Sequence, residues 1–470
     1  IRVYKLPGGR EVVKEFSLKG ETEPTPAIPY WYTLVIGQEH TEAILRSHLA
    51  KLGCHVELGA ELISFEQHPD HVVVQVRKVQ DSSIETVTCH WLVGTDGAKG
   101  ILLGLTFLGE TYEDHQMLLA DLHLTGVDRE HWHQWYNILL IRPTEYNDDS
   151  FSLIGSADGL DIAKITEDPK ELAAYVHANT DRDDIEVGKI KWISQYRPNV
   201  RMVNKFGEGR VFVAGDAAHV HSPAGGQGMN SSIQDSFNLG WKLALVEKGL
   251  AVPALLSTYN DERLPVIAEM LNISTNLFDK AVAVKADESA WNRGGELLQL
   301  GIHYRWSPIV LDERAEPGDS PASANPYGVT DDAVRAGDRA PDAPGLRKVK
   351  GHDALDTTTS LFRIFGPSYH TALIFGSPGQ VPQAVLAALK RSPAEVLYTA
   401  LITPRDDAAP LTADVELVVS DQEGHAYTGY GVSGDGMAVI IVRPDGVIGG
   451  YLQSAEGIGR YFERVFGTSV

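Results

Sequence analysis

Residues 211–230 read VFVAGDAAHVHSPAGGQGMN. They begin as an apolar run suited to a buried strand, then gather one carboxylate, two histidines, a proline and four glycines. A strand that ends in Gly215-Asp216 places the carboxylate at the carboxyl edge of a sheet, where open α/β folds bind ligands. An ionised acid only accepts hydrogen bonds, so Asp216 suits the hydroxyls of a sugar or polyol and repels a phosphate. Gly225, Gly226, Gln227 and Gly228 then lead into a helix beginning near Met229. The free N–H groups and partial positive charge of such a helix start can hold an anion, including one that arises only during a reaction. A polyol chain attached to a reducible ring is one ligand that needs both features. The competing reading is an ordinary glycine-rich strand–helix connection capped by an acid. That reading leaves the combination of Pro223 with Gln227-Gly228-Met229-Asn230 unexplained.

Outward from this stretch the chain has the patterning of an α/β protein. After the glycines, Met229, Ile233, Phe237, Trp241 and Leu245 repeat every four residues, which predicts a long helix, and a further helix is expected over about 253–280. Upstream, Ile44, Leu45, Leu49 and Leu52 fall at helical spacing and Gly53 ends that helix. HVELGAELISFEQHPDHVVVQVRK alternates like antiparallel strands about a Pro69-Asp70 turn, and HWLVGTDG is an apolar strand that stops at Asp96-Gly97. Residues 1–16 read as a hairpin, and residues 106–200 as a sheet interrupted by one helix near Pro169–Asn179. Residues 306–345 are rich in Pro, Asp, Gly and Ala, which is linker composition. The last part returns to alternating strands and helices.

These segments predict residues 1–105 as the first part of an α/β ligand-binding domain and 106–200 as an inserted β-sheet domain. Residues 201–330 are then the second part with its helices, and 331–470 a small α/β domain of thioredoxin type. No redox cysteine pair accompanies that last domain. Cys54 and Cys89 are the only cysteines and are expected to be buried and inert. His219 and His221 stand two apart without a third ligand in view, so no metal is expected there.

At 470 residues, with 43% hydrophobic and 22% charged residues, the chain has the composition of a globular protein of two or three domains. Its net charge of -22 argues against a nucleic-acid surface and against docking on an anionic membrane. No apolar run approaches the ~20 residues of a spanning helix. A cytoplasmic location is the default expectation. The opening IRVYKLPGG lacks Met and starts inside a strand-turn-strand pattern, from which we expect residues ahead of Ile1.

The run AGDAAHVHSPAGGQGMNSSIQDSFNLGWKLALV resembles the second FAD-binding motif of single-component flavoprotein aromatic hydroxylases, the phenol hydroxylase-like group. LLSTYNDERLPV, IGQEHTEAILRSHL and VGTDGAK extend the resemblance. RAGDRAPDAPGL and IIVRPDGVIGGY look like the thioredoxin-like C-terminal domain of the same enzymes. The resemblance implies an FAD-binding Rossmann-like fold with part of its N-terminal portion missing. It also implies NADPH reduction of the flavin, oxygen addition to give a flavin hydroperoxide, and hydroxylation of a phenolic or related aromatic ring. A relative that epoxidises or halogenates, or that has lost catalysis, is the alternative.

Residue by residue, the resemblance assigns Asp216, with Gly215, to a ribityl hydroxyl, and Pro223 to the reactive edge of the isoalloxazine. It places Gly226, Gln227, Gly228, Met229 and Asn230 opposite the flavin pyrimidine ring, and makes Gln38 a cofactor contact. Asp96 and Gly97 match the pair linked to FAD and NADPH. Arg142 and Tyr146 lie in the sheet domain, where the family places substrate-facing residues, and can deprotonate or orient a phenol. The family's GxGxxG motif and its acidic catalytic residue are expected ahead of Ile1. The Asp-Gly motif, shortened here to DGAKGILLGLTF, leads us to expect residues dropped around Lys99-Gly100-Ile101. A small aromatic substrate, O2 and a homodimeric assembly complete the expectation.

Overall fold

The computed structural model of the chain describes residues 1–17, 23–97, 107–111, 116–135, 139–146, 148–156, 161–197, 199–222, 225–282, 295–315, 325–328, 333–350, 358–377, 379–405, 414–433 and 436–467. Its helices are α1 (Gln38–Lys51), α2 (Ile162–Glu167), α3 (Pro169–Thr180), α4 (Gly228–Glu247), α5 (Ser257–Val282), α6 (Gln383–Leu389), α7 (His425–Gly429) and α8 (Ala455–Phe466). Among the described residues, no helix is long and apolar enough to cross a membrane.

The middle of the chain builds a seven-stranded sheet. In spatial order its strands are Glu186–Tyr196, Met117–Thr125, Ser150–Ser156, Leu139–Pro143, His133–Trp135, Arg2–Tyr4 and Val12–Glu15. The N-terminal hairpin, grouped by the sequence with residues 1–105, is thus hydrogen-bonded into the sheet of residues 106–200. Arg2–Tyr4 runs parallel to His133–Trp135, and the Tyr4 ring stacks on Trp135 at 4.9 Å. Period-two alternation gives this sheet one closed face. Leu118, Ala120, Leu122, Leu139, Ile141, Phe151 and Leu153 form a core with Leu172 and Val176 of α3. Asp168 caps α3, its side chain accepting from Lys170 N–H at 2.9 Å.

The C-terminal part is an eight-stranded sheet in the order Leu311–Asp312, Ile448–Leu452, Ala438–Val442, His370–Phe375, Leu397–Thr403, Leu417–Asp421, Leu346–Lys350 and Thr358–Thr359. His370–Phe375 pairs parallel with Leu397–Thr403 and antiparallel with Ala438–Val442. One face packs on α6 and α8 in a core that also takes in Trp241 and Leu245 of α4. Described parts of the stretch with linker composition are built into this unit. Leu311–Asp312 pairs with Ile448–Leu452, and Ala336, Ala340 and Ala343 are buried in the second core of the sheet. Small side chains there let the connection lie flat against the strands.

Two local expectations are corrected. Cys54 is exposed and Cys89 half-buried, because Cys54 follows α1, and α1 buries none of its residues. The apolar side of α1, including Ile44, Leu45 and Leu49, is likewise exposed. Elsewhere, Asp421 caps α7 by accepting from the N–H groups of Ala426 and Tyr427 at 2.9 and 3.0 Å, the turn chemistry its sequence context implies.

Candidate active site

Strand Leu92–Gly94 runs parallel to strand Val211–Val213, with Val213 opposite Gly94. Ala214 N–H donates to the Gly94 carbonyl at 3.0 Å. Both strands therefore release their turns at one carboxyl edge, Asp96-Gly97 from the first and Gly215-Asp216 from the second. Asp216 is the exposed residue in an otherwise buried run from Val211 to Ser222. Its carboxylate makes no hydrogen bond or ion pair with the described residues, and Asp96 is also exposed.

The turn is held from beneath. Gly215 has φ +61°, and a Cβ there would stand 3.0 Å from Ser232 Oγ, so both strain and space require glycine. Its N–H donates to Asp235 Oδ2 at 3.1 Å, and His219 Nε2 meets the same oxygen at 2.7 Å. Arg263 Nε donates to Asp235 Oδ1 at 2.7 Å, and its Nη1 donates to Tyr304 OH at 2.9 Å. Asp235, Arg263 and His219 are fully buried. Burial opposes the charge on Asp235, but Arg263 and His219 outweigh it and hold the carboxyl below its ordinary range. A buried ion pair that also satisfies the surrounding donors is the condition under which such charges are tolerated.

The glycines open a space above this support. Gly226, at φ +66°, is exposed, and a Cβ there would meet nothing within 4 Å; Gly97, at φ +79°, is equally unobstructed. Helix α4 starts at Gly228 with no side-chain cap. Ser231 N–H donates to the Gln227 carbonyl at 2.9 Å, so the amides of Gly228, Met229 and Asn230 stand ahead of the helical ladder. Asn230 Nδ2 donates to the Gly226 carbonyl at 3.2 Å. Gln227 is buried and donates to the carbonyls of Gly225 and Leu297 at 3.1 and 2.9 Å, while its Oε1 has no partner among the described residues. Pro223 lies outside the described residues, as do Lys99, Gly100 and Ile101.

The sheet domain reaches this edge at Tyr196 and separately meets the start of α1. Tyr196, at the end of its strand, donates its hydroxyl to the His221 carbonyl at 3.0 Å. Burial, and secondly the nearby Asp216 carboxylate, push the Tyr196 phenol up to about 12. At the start of α1, Gly37 N–H donates to Glu145 Oε1 at 2.9 Å, and Tyr146 OH donates to Glu39 Oε2 at 3.2 Å. The Tyr146 ring lies edge-on to His40 at 4.7 Å and under Lys191 Nζ at 4.2 Å. Gln38, the exposed first residue of α1, precedes Glu39 and His40, the α1 partners of Tyr146, in sequence, and its amide donates to Glu42 Oε1 at 2.9 Å. Arg142 is half-buried on the neighbouring strand.

Sequence reasoning missed Asp235 and Arg263. A signal for Asp235 exists: Ser231, Asp235, Asn238 and Lys242 follow one another at spacings of four, three and four residues. That is the spacing of a core-facing helical stripe, here written in polar residues.

An accepting carboxylate, an unobstructed glycine turn and an uncapped helix start at one sheet edge fit a ligand with a polyol chain and an anion-forming ring. FAD is such a ligand. The chain matches the FAD binding domain family over residues 16–274 and the phenol hydroxylase C-terminal dimerisation domain over residues 403–469. A flavin-dependent monooxygenase of Mycobacteroides abscessus is 34% identical to it, over 98% of this chain and 85% of that protein. Pentachlorophenol 4-monooxygenase of Sphingobium chlorophenolicum is 26% identical, over 92% of this chain and 77% of that protein. Among solved structures, the flavin-dependent monooxygenase PieE in complex with FAD and substrate shares the fold with a TM-score of 0.73. It is 20% identical and covers 91% of this chain and 80% of its own. Aklavinone-11 hydroxylase in its ternary complex with FAD and aklavinone gives a TM-score of 0.72 at 24% identity, over 92% and 78% of the two chains. With the FAD binding domain matched over more than half its length and close to full-length similarity to a flavin-dependent monooxygenase, the chain belongs to the family of FAD-dependent aromatic monooxygenases.

Proposed function

We propose that the protein hydroxylates a phenolic or related aromatic compound with FAD, NADPH and O2. The observation that carries this reading is Asp216, an exposed carboxylate without a partner among the described residues, set at one sheet edge with the uncapped start of α4. Asp216 accepts from a ribityl hydroxyl, with Gly215 giving the turn its shape. The amides at Gly228, Met229 and Asn230 face the pyrimidine side of the ring and favour negative charge there. Gly226 leaves room for the ring, and Gln227 keeps one carbonyl oxygen free in that wall. Asp96 and Gly97 border the same edge, and we assign the remaining cofactor contacts to Gln38 and Pro223 on the resemblance to the family. Bound FAD supplies the redox and oxygen chemistry, with NADPH as the reductant.

The sheet domain covers the site. Tyr196 braces it at the glycine-rich turn, which keeps water from the reacting ring, and Arg142 and Tyr146 orient the substrate. We read residues 1–105 and 201–330 as the two parts of the FAD-binding domain, except that the hairpin of residues 1–16 joins the substrate domain of residues 106–200 and Leu311–Asp312 joins the thioredoxin-like domain of residues 331–470. The parallel and antiparallel partners of His370–Phe375 support that last reading. Both cysteines lie outside the domain, so its role is structural, and the match of residues 403–469 to a dimerisation domain supports a homodimer.

The test uses purified protein reconstituted with FAD. Phenols are expected to raise the rate of NADPH oxidation and oxygen uptake and to yield a product carrying one atom of 18O from 18O2. Protein that stays colourless after FAD addition, or product labelled only from water, refutes the reading.

A further inference from the structure

The face of the seven-stranded sheet turned away from the core it shares with α3 carries an ordered pattern. Leu139 and Ile141 point into the core, so Leu140 and Arg142 point to the other side, and the same alternation turns Leu119, Asp121, Ser152 and Ile154 outward. Strand register then aligns two rows. Leu140 stands opposite Ile154, and Ile154 opposite Leu119; Arg142 stands opposite Ser152, and Ser152 opposite Asp121. A third row holds Met117 opposite Tyr196, whose hydroxyl meets the glycine-rich turn at His221. From Met117 to Asp121 the strand advances roughly 13 Å at about 3.3 Å per residue. Starting at the turn, a ligand on this face meets an apolar row first and Arg142 beyond it.

Arg142 has no anion of its own among the described residues. No carboxylate oxygen there lies within ion-pair distance of it, and it makes no hydrogen bond with any of them; its one close partner is the Trp132 ring, 5.7 Å away. The two nearest acids are committed elsewhere. Asp121 Oδ1 accepts from Ser152 Oγ at 2.6 Å, and Glu145 Oε1 accepts from Gly37 N–H and meets His40 Nδ1, both at 2.9 Å. Burial works against the Arg142 charge, and Asp121 and Glu145 only partly offset it. A guanidinium offers five donors in a planar fork matched to a carboxylate. Those donors are left to water or to a ligand, and a carboxylate or phenolate is the stronger partner for them.

We propose that Arg142 receives an anionic oxygen of the aromatic substrate, a carboxylate or an ionised phenol, while the ring lies on Leu119, Ile154 and Leu140. This rests on the hydroxylase reading above and narrows it to substrates that carry a negative charge. In a chain of net charge -22 an anion gains nothing from long-range attraction. Selection for it has to come from a local cation.

The experiment titrates the FAD-loaded protein with matched pairs and follows the visible difference spectrum of the flavin, with calorimetry in parallel. One pair is 3-hydroxybenzoate and 3-hydroxybenzamide; the other is a polyhalogenated phenol and its methyl ether. The two arms tell carboxylate from phenolate recognition. The anionic member of at least one pair is expected to bind roughly 10- to 100-fold tighter, the range of a hydrogen bond to a charged group. Arg142→Gln is expected to erase that preference and Arg142→Lys to retain part of it, with unchanged thermal unfolding confirming that both fold. Equal binding within both pairs, or a preference that survives in Arg142→Gln, overturns the inference. If phenols still stimulate NADPH oxidation in that case, the hydroxylase reading stands. Failure of every aromatic compound to perturb the flavin or stimulate oxidation overturns both.

Discussion

Replacing Glu262 with Gln tests how the C-terminal sheet is fastened to the cofactor-binding helices. Glu262, on α5, is fully buried and takes both prongs of Arg443, Nη1 to Oε1 at 2.7 Å and Nη2 to Oε2 at 2.9 Å. Lys242 Nζ donates to the same carboxylate at 2.8 Å, and Asn238 and Ser307 each donate to it at 2.6 Å. Asp445 closes the set, receiving Arg443 Nε at 3.0 Å and Trp241 Nε1 at 3.1 Å. Two cations thus face two carboxylates with almost no water. Burial opposes ionisation of Glu262, yet Arg443 and Lys242 hold its carboxyl well below the usual range. Glutamine keeps the shape but removes one charge, leaving two buried cations against Asp445 alone. Breaking a buried pair in this way costs about 3–5 kcal/mol, a large share of the ~5–15 kcal/mol that a domain has. The assay is urea unfolding at neutral pH with FAD present, read as a fall in midpoint at constant slope. Removing the excess cation as well, in Glu262→Gln with Lys242→Met, is expected to recover at least half of the loss. If Glu262→Gln costs under about 1 kcal/mol, or if the second substitution adds to the damage, charge compensation is not what holds this junction.

Two further outcomes follow from single residues. Asp216→Ala removes an exposed side chain without partners among the described residues, so stability should stay within about 0.5 kcal/mol. The FAD dissociation constant should rise roughly ten-fold or more, measured by quenching of flavin fluorescence; unchanged affinity would remove Asp216 from the site. His370 is fully buried, with neither ring nitrogen hydrogen-bonded among the described residues, and sits among the rings of Trp241, Tyr461, Phe462 and Phe466. Burial, aided by Arg443, pushes its pKa from 6.5 to about 3. The unfolded chain therefore takes up the proton first as pH falls, and this group's contribution is lost below 6.5 at about 1.4 kcal/mol per pH unit until the folded form titrates. His370→Phe should flatten that part of the profile between pH 6.5 and 5 and raise stability by about 1–3 kcal/mol by removing unpaired polar atoms. Parallel profiles for the two proteins would contradict it.

What the sequence made legible was local. The strand of VFVAGDAAHVHSPAGGQGMN, its turn and the helix after it were readable because apolar content, glycine and periodicity all act within a few residues. The pairing of Arg2–Tyr4 with His133–Trp135 was not, since it joins residues about 130 apart by backbone bonds that any side chains permit. Arg443-Pro444-Asp445-Gly446 has the residue types of a tight turn, and Gly446 N–H does donate to the Arg443 carbonyl at 2.9 Å. Those residue types speak for the backbone and are silent about the guanidinium, whose partner Glu262 lies 181 residues earlier. Tyr146 was similar: its place in the sheet domain was foreseen, whereas its hydrogen bond to Glu39 depends on how that sheet meets α1.

Helix α4 shows why periodicity alone misleads about facing. Its apolar stripe predicts a helix, and a helix forms, but Met229, Ile233 and Phe237 are 51%, 49% and 42% exposed. The buried stripe is Ser231, Asp235, Asn238 and Lys242, joined further along by Trp241 and Leu245. The spacing of the apolar residues points the other way because it weighs each polar side chain as if it were alone. Here they are not alone: Asp235 is matched by Arg263, and Lys242 by Glu262, both supplied by α5. Once paired and hydrogen-bonded, these groups escape most of the penalty that would drive them to the surface. The consequence is functional. The residues that fix α4 from below also fix Gly215 and His219 beside its first turn, so the polar stripe sets where Asp216 stands relative to the free amides of Gly228 to Asn230. A purely apolar stripe could bury the helix equally well but could not specify that position, because hydrophobic contact has no direction and hydrogen bonds do.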